Sequence, residues 1–419
     1  MKKLWQKNNK SKLNPLIESY TVGDDVLWDT QLLSYDIKAS LAHANMLNKI
    51  GILSSSELSD ITKAFDDLDL SNIILTTSDE DSSTYLENYL VSKIGETGKK
   101  IHAGRSRNDQ VLVTLRLFEK DQLQILINLC TELIGSLKAY SQKYQKIPMP
   151  GYTHGQQAML SSVGHIFQSY YESLSDDKAF LELVLHYIDQ NPLGSAASFG
   201  VNLPLDRNFT TKLLSFSKTQ HNSIYCQNSK GKFESLILES LTQVMMTLNK
   251  ISSDMIFYLS QECGFFSLSD VVTTGSSIMP HKKNPDVFEI MRGKGSIVTA
   301  HQFFIKDLCK NLMSGYQRDT QLIKKPLFES FDIVKESLEV WQVILLNLKP
   351  QKDVIQSKIT PDILTANIAN DLVVNEGMSF REAYNKAPSL VPNNPNYEDL
   401  IDTMVSEGAA GNYCNRTQD

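Results

Sequence analysis

Residues 124–144, QILINLCTELIGSLKAYSQKY, are the stretch that decides the fold. Their apolar side chains recur every three or four positions, as they do on the buried face of an α-helix. These residues are Leu126, Leu129, Leu133, Leu137, Tyr140 and Tyr144. The same spacing returns farther along the chain, at Leu241, Val244, Leu248, Ile251, Met255 and Leu259. Two such faces predict long helices that pack together in a bundle.

The rest of the sequence also favours helices. Prolines are absent from 16–147, 205–279 and 327–349, so long helices are permitted there. No series of short alternating strands with turn pairs is present, and the predicted fold class is therefore all-α. Ser54 with Glu57 and Ser379 with Glu382 have the spacing of helix capping boxes.

Proline and polar clusters suggest three regions along the chain. We expect an amino-terminal helical domain at 1–103, a central long-helix bundle at 104–350 and a carboxy-terminal helical domain at 351–419.

Composition excludes several classes of protein. The chain has 419 residues, 41% of them hydrophobic, which is enough for a large core. The net charge of -7 argues against a nucleic-acid partner. Five scattered cysteines suggest neither a disulfide framework nor a zinc site, and the basic start MKKLWQKNNKSKLNP is followed by no apolar segment. We therefore expect a cytoplasmic protein without a membrane span.

The segment 273–289, TTGSSIMPHKKNPDVFE, is unlike a core segment, because it is rich in small, polar and cationic residues. Its glycine and serines allow movement, and Lys282 and Lys283 provide donors for a carboxylate. The Asn-Pro-Asp sequence at 284–286 has the character of a helix start with proline in the first turn. The amino terminus of a helix would add a partial positive charge beside the lysines. The segment is thus predicted to be a functional loop that binds an anion.

This segment resembles the GSSxMPxKxNPxxxE signature of the fumarase/aspartase superfamily, whose members eliminate fumarate from succinyl-bearing substrates. The resemblance implies an aci-carboxylate intermediate, whose charge Lys282 and Asn284 would hold. It also implies that Ser276 is the base that abstracts the proton, and that Glu289 supports a catalytic histidine. No cofactor or metal is required for this chemistry.

The segment 149–156, MPGYTHGQ, displays a histidine directly after a Pro/Gly turn. It is similar to the MPGYTH motif of the same superfamily. The resemblance implies that Thr153 binds a carboxylate and that His154 helps to protonate the departing nitrogen.

Two further segments indicate the leaving group. Residues 102–111, HAGRSRNDQV, place two arginines, a serine and an amide before a long helix, where they suit a substrate with several carboxylates. They resemble the HxGRSRNDQV segment of the argininosuccinate lyase family. Residues 314–324, SGYQRDTQLIK, are similar to that family's YNKDxQEDK run. The resemblance implies substrate-binding roles for Ser106, Arg107, Asn108, Tyr316, Gln321 and Lys324.

Some positions depart from the family pattern. The usual EDxH reads Glu80-Asp81-Ser82-Ser83, and Asp25 stands where serine is usual. An NSxDAVSxRD stretch is replaced by NSIYCQNSKGK at 222–232, where either Lys230 or Lys232 is a candidate to replace the lost arginine. These changes concern substrate binding.

The expected activity is elimination of fumarate from argininosuccinate to give arginine, in arginine biosynthesis. THGQ and MPHK are also reminiscent of adenylosuccinate lyase, and some relatives serve as lens crystallins, so both alternatives are kept. The family resemblance further implies a homotetramer whose active sites take segments from three chains, and we expect a dissociated monomer to be inactive.

Overall fold

A computed structural model describes residues 14–77 and 79–413. The basic start of the chain and Cys414, for which the sequence gives expectations, lie outside these residues. Cys130, Cys226, Cys263 and Cys309 have free thiols. None of the described helices combines the length and the apolar character that crossing a membrane would require.

The described residues are mainly α-helical, as the periodicity predicted. The helices are α1 Pro15–Val22, α2 Asp25–Lys49, α3 Ser55–Asp66, α4 Ser82–Ile94, α5 Glu96–Lys100, α6 Arg107–Lys143, α7 Val163–Ile188, α8 Arg207–Leu213, α9 Ser223–Asn228, α10 Lys232–Tyr258, α11 Asp286–Cys309, α12 Lys324–Asn347, α13 Lys352–Lys358, α14 Thr365–Glu376, α15 Phe380–Lys386 and α16 Tyr397–Ile401. Short 3-10 turns lie at Asp270–Val272, Arg318–Ile323, Pro361–Leu364 and Ala387–Leu390.

Within 14–77 and 79–413, six short strands pair in twos. Strands β1 Pro148–Thr153 and β2 Gln156–Ser162 form an antiparallel hairpin. Strands β3 Gln190–Asn191 and β4 Lys218–Thr219 are parallel. Strands β5 Phe266–Leu268 and β6 Leu348–Pro350 are antiparallel. Each strand lies in a connection between helices, and the fold class is all-α.

Internal contacts divide the chain into two compact units. The first contains the described residues up to Ile127, with 180–242 and 297–334, and the second contains 128–179, 243–296 and the residues from 335 onward. The domain boundaries expected from the sequence stay a prediction. In the first unit the rings of Phe118 and Phe328 stack with centroids 4.1 Å apart. In the second, Phe288 packs against Trp341 at 5.4 Å.

The sequence signals for helices are borne out locally. The apolar positions that recur along α6 and α10 are buried or half-buried. Ser54 caps α3, since its Oγ accepts from the N–H of Glu57 at 3.2 Å and its own N–H donates to Glu57 Oε2 at 2.9 Å. Ser379 and Glu382 form the same reciprocal box at α15. Both capping boxes predicted from the sequence are therefore confirmed.

Candidate active site

The amino terminus of α6 lies at the edge of a cavity in the first unit. Ser106 directly precedes the helix, and Arg107 and Asn108 form its first turn. The buried carboxylate of Asp109 holds this turn in place, because it accepts from the N–H of Ser106 at 2.8 Å and from two N–H groups of residues 194–196, at 2.9 and 3.0 Å. Ser106 and Asn108 are thus presented at the positive end of a long helix, where an anion is favoured.

Arg107 is held by two carboxylates. Its Nε donates to Asp81 Oδ2 at 2.8 Å, and its Nη1 lies 3.2 Å from Glu80 Oε1. Burial alone would lower the pKa of Arg107, but Asp81 and Glu80 raise it. The guanidinium therefore stays charged, and much of its hydrogen-bonding capacity is already used within the chain.

The changed segment at 80–83 has a structural explanation. Ser82 and Ser83 both donate to Asp36 Oδ2, at 2.9 and 2.7 Å. Burial raises the pKa of Asp36, and the nearby Arg105 opposes that rise. Arg105 is itself buried and donates to Ser40 Oγ at 2.9 Å. Arg105 therefore supports the wall of the site and is not among the side chains that line the cavity.

Lys324 is the centre of a buried charge cluster. Its ammonium donates to Asp25 Oδ2 at 2.8 Å and also to Asp29. Although burial alone would lower it, these carboxylates raise the pKa of Lys324 above its ordinary value. The side chain of Asp25 remains 12% exposed, whereas those of Asp29 and Lys324 are almost fully buried. Asp25, which replaces the usual serine, thus provides a partner for Lys324 at the cavity surface.

Gln321 and Tyr316 complete this side of the cavity. The Gln321 amide donates to the carbonyl oxygens of Thr21 and Val22, both at 3.1 Å. The Tyr316 N–H donates to Ser198 Oγ at 3.2 Å, and burial raises the pKa of its phenol. The Gln321 side chain and the Tyr316 backbone are therefore held in place by bonds to distant parts of the first unit.

These residues surround one cavity of about 460 Å³. Six predicted substrate-binding residues line it, namely Ser106, Arg107, Asn108, Tyr316, Gln321 and Lys324. The other lining residues are Asp25, Glu80, Asp81, His102, Val111, Lys230 and Arg318. Five separate stretches of the chain, at 25, 80–81, 102–111, 230 and 316–324, therefore converge here. The seventh predicted binding residue, Asn284, lies in the second unit.

His154 lies at the tip of the β1–β2 hairpin in the second unit. The strands pair up to Thr153 and Gln156, and both His154 and Gly155 have positive φ, 53° and 73°. Two successive positive φ angles are typical of the type I′ turns that close tight hairpins. The sequence placed the turn at Pro150-Gly151, which is wrong. Those residues belong to β1, where a register shift follows Gly151.

The loop that carries Ser276 is closed at its neck. Thr274 and Asn284 exchange two backbone hydrogen bonds, of 3.1 and 2.8 Å. The Asn284 side chain adds a bond to the carbonyl of Gly275 at 3.2 Å. Helix α11 follows at Asp286, whose carboxylate accepts from Thr274 Oγ1 at 2.8 Å. Pro285 thus directly precedes the helix, and the loop is anchored to its first turn.

The hydroxyl of Ser276 faces two backbone donors. The N–H groups of Ile278 and Met279 lie 3.4 and 3.2 Å from its Oγ. Hydrogen bonds to an oxygen favour its charged form. An alkoxide on Ser276 would therefore be stabilised by its own loop.

The two lysines of this loop differ. Lys283 forms an ion pair with Asp270. Lys282 is exposed, and within residues 79–413 its ammonium makes no hydrogen bond or ion pair. Glu289 is exposed on the first turn of α11, and across the same residues neither it nor His154 forms a hydrogen bond or ion pair with the other. The predicted catalytic residues of the second unit are thus displayed but are not joined within one chain.

Asp29 is a site residue that sequence reasoning missed. It lies four positions after Asp25, so both carboxylates share one face of α2, and that spacing was the available signal. Glu80 and Asp81 belong to the segment that departs from the family's EDxH pattern, and the sequence did not predict that they bind Arg107. Within the part of the chain that the structure describes, no group of three histidine, cysteine or acidic side chains is arranged to hold a metal ion.

Comparison with known proteins agrees with this architecture. A family described as Lyase matches residues 11–300. The argininosuccinate lyase of Thermotoga neapolitana is 42% identical over 91% of this chain and 96% of its own length. That of Phocaeicola vulgatus is 39% identical over 99% and 93%. The crystal structure of EDDS lyase in complex with formate has a TM-score of 0.80 and 21% identity over 96% of this chain and 88% of that chain.

Fold, family match and site motifs define the class, which is the carbon–nitrogen lyases of the fumarase/aspartase superfamily. The chain belongs to the argininosuccinate lyase family.

Proposed function

We propose that this protein eliminates fumarate from argininosuccinate and releases arginine, as a cytoplasmic enzyme of arginine biosynthesis. The observation that carries the proposal is the convergence of Ser106–Asn108 with Tyr316, Gln321 and Lys324 around one cavity. The helix terminus suits the succinyl carboxylates, and the charge cluster of Lys324 suits an amino-acid end. Full-length similarity to proteins named argininosuccinate lyase supports the same substrate.

The proposed reaction has two stages. Ser276 removes a proton from the succinyl carbon next to a carboxylate, and the extra charge collects on that carboxylate as an aci-carboxylate. Lys282 and Asn284 stabilise this charge, which is the kind of fixed electrostatic support that contributes most to catalysis. The carbon–carbon double bond then forms as the carbon–nitrogen bond breaks. The electron pair of the carbon–nitrogen bond leaves with the guanidino nitrogen.

Serine is a weak base, and the geometry of its loop supports the role. Donors at 3.4 and 3.2 Å from Oγ favour the alkoxide, and closure over a substrate would remove water from the same oxygen. Thr153 would bind a substrate carboxylate. His154, supported by Glu289, would help to protonate the departing nitrogen.

We further propose a homotetramer with shared active sites. Within one chain, the described residues of the second unit present Thr153, His154, Ser276, Lys282 and Glu289 on exposed or half-exposed segments. Three segments from different copies would then complete each site. Mixing a Ser276→Ala variant with an Asn108→Ala variant should restore activity, because some sites in the mixed tetramer would have only wild-type segments. Failure of every such mixture would contradict shared sites.

The direct test follows fumarate absorbance with argininosuccinate and adenylosuccinate offered separately. We expect fumarate and an equal amount of arginine from argininosuccinate, and none from adenylosuccinate. Fumarate from adenylosuccinate alone would establish the alternative substrate. No fumarate from either would reject the enzyme and favour a structural role. Assay of size-separated fractions should find the activity with the tetramer and not with the monomer.

A further inference from the structure

Lys230 is a cavity residue whose direction is fixed by the turn between α9 and α10. The N–H of Gly231 donates to Glu234 Oε2 at 2.5 Å, and Gly231 has a φ of 85°. A Cβ at Gly231 would lie 2.2 Å from Cys309 Sγ, so only glycine fits this turn. With this turn, Lys230 lines the cavity and has 7% of its surface exposed, whereas Lys232 is exposed to solvent. The structure therefore distinguishes the two lysines that the sequence left as alternatives.

Among the cations that line the cavity, Lys230 differs in its partners. Arg107 is paired with Asp81 and Glu80, and Lys324 with Asp25 and Asp29. The exposed Arg318 donates to Gln321 Oε1 at 3.1 Å and to the carbonyl oxygen of Thr21 at 2.9 Å. For Lys230, the described residues provide neither a side-chain hydrogen bond nor an ion pair, and its Nζ lies 6.0 Å from the centroid of the Tyr316 ring. A buried ammonium without a hydrogen-bonding partner is costly. Lys230 is thus a buried cation of the cavity that makes no direct ion pair among the described residues.

The pKa of Lys230 agrees with this geometry. Burial lowers it, the positive charge of Lys324 lowers it further, and Glu234, Asp25 and Asp29 oppose the change. An anion bound beside the ammonium would favour its charged form.

The charges around Lys230 match a zwitterion. Above the pKa of Asp29, which burial raises to about 6, Asp25 and Asp29 carry two negative charges, and Lys324 neutralises one of them. One negative charge remains, and Asp25 presents it at the cavity surface, beside the unpaired positive charge of Lys230. The amino-acid end of argininosuccinate carries one α-carboxylate and one α-ammonium. Two of the three N–H groups of Lys324 are already used by the aspartates, which leaves Lys230 as the buried cation of the cavity without an ion pair among the described residues.

We propose that Lys230 binds the α-carboxylate of the substrate's amino-acid end and that Asp25 receives its α-ammonium. This inference rests on the proposed function, which supplies the substrate. Lys230 is then a specificity residue in place of the arginine usual in the family. Asp25, in place of the usual serine, provides the opposite charge for the α-ammonium.

The test compares argininosuccinate with its analogue in which hydrogen replaces the α-carboxylate. Wild-type protein should prefer argininosuccinate in kcat/KM by roughly 10- to 100-fold, the usual value of a charged contact. Lys230→Met should lose this preference, mainly through a higher KM for argininosuccinate, and should lower kcat/KM for the analogue much less than for argininosuccinate. Lys230→Arg should restore most of it. The matched control Lys232→Met should behave as wild type.

A binding measurement makes the inference independent of turnover. Calorimetry should find that Lys230→Met binds L-arginine roughly 10- to 100-fold more weakly than wild type. Its affinity for agmatine, which lacks the α-carboxylate, should not change. Lys230→Gln is a second neutral variant for use if Lys230→Met does not fold. The ratio of the affinities for L-arginine and agmatine can also be measured in the wild type alone.

The outcomes separate the two claims. If wild type forms no fumarate from argininosuccinate, the proposed function fails, whatever the binding results. If wild type is active but Lys230→Met retains the preference for the α-carboxylate, in rate and in binding, the inference about Lys230 is wrong and the function stands.

Discussion

The cavity of the first unit and the exposed segments of the second unit differ in how far their charges are paired within the chain. Around the cavity, Arg107 and Lys324 each contact two carboxylates, and both side chains are at least 70% buried. In the second unit, Lys282 and Glu289 are exposed, and within residues 79–413 neither forms an ion pair. The first region has the features of a preformed binding site, whereas the second has those of segments that acquire partners only when substrate or another chain approaches.

This difference predicts separate kinds of defect. Substitutions on the exposed segments should affect turnover and leave stability unchanged. Substitutions in the cavity should affect stability and binding together, because a buried charge left without its partner is costly in itself.

The largest effect is expected for Ser276→Ala. Loss of a proton-transfer group lowers turnover by about 100- to 10,000-fold, and the melting temperature should not change, since the Ser276 hydroxyl is half-exposed and contacts only its own loop. Ser277→Ala, which changes the exposed neighbouring serine, is the control and should remain active. Equal rates in the two variants would show that Ser276 is not the catalytic base.

The next effect is expected for Lys324→Met. Removing one partner of a buried ion pair costs about 3–5 kcal/mol, because Asp25 and Asp29 would lose their cation. Thermal unfolding at fixed protein concentration should show this loss, and KM should rise in the same variant. Lys325→Met is the control, since the ion pair of Lys325 with Asp24, at 3.7 Å, is exposed to solvent and should contribute little to stability. An unchanged melting temperature in Lys324→Met would contradict the contrast between the regions.

A third comparison uses the two adjacent lysines of the loop. Lys282→Met should lower kcat by about 100- to 1,000-fold, as expected for loss of one fixed charge on a developing anion. Lys283→Met should have a small effect, because Lys283 is paired with Asp270. Neither change should alter the melting temperature. A larger kinetic defect in Lys283→Met would mean that the wrong lysine was assigned to the aci-carboxylate.

The smallest effect concerns a buried carboxyl of the first unit outside the cavity. Burial, and then the charge of Glu234, raise the pKa of Glu119 well above its ordinary value, although Arg116 Nε lies 3.2 Å from Glu119 Oε2. A group whose pKa is higher in the folded state stabilises the protein at low pH and loses that contribution as pH rises through the folded-state pKa. Glu119→Gln cannot lose a proton.

The melting temperature of Glu119→Gln should therefore fall less steeply than that of wild type as pH rises from the ordinary pKa of a glutamate through the raised pKa of Glu119. Thermal scans from pH 6 to pH 9, at constant salt and protein concentration, would measure the difference. Parallel curves for the two proteins would mean that Glu119 does not exchange a proton over this range.

Much of the local structure was predictable. Helices α6 and α10, which contain 124–143 and 241–258, follow from a repeat of three and four residues, and the two capping boxes from a spacing of three. The turn at His154 was not predicted, because Pro150-Gly151 is also a turn signal and strand pairing decides between them. The sequence motifs also named six residues that line the cavity, and their roles stay predictions.

The sequence by itself determined the helical class, the family and the residue types of the site, because these depend on periodicity, short spacings and motifs. Only the tertiary structure decided that Lys324 pairs with Asp25 and Asp29, nearly 300 positions away. It also decided that Lys230, and not Lys232, faces the cavity. The physical reason is that such contacts come from the packing of distant segments, in which a rotation of one helix or turn determines whether a charge meets a partner or solvent.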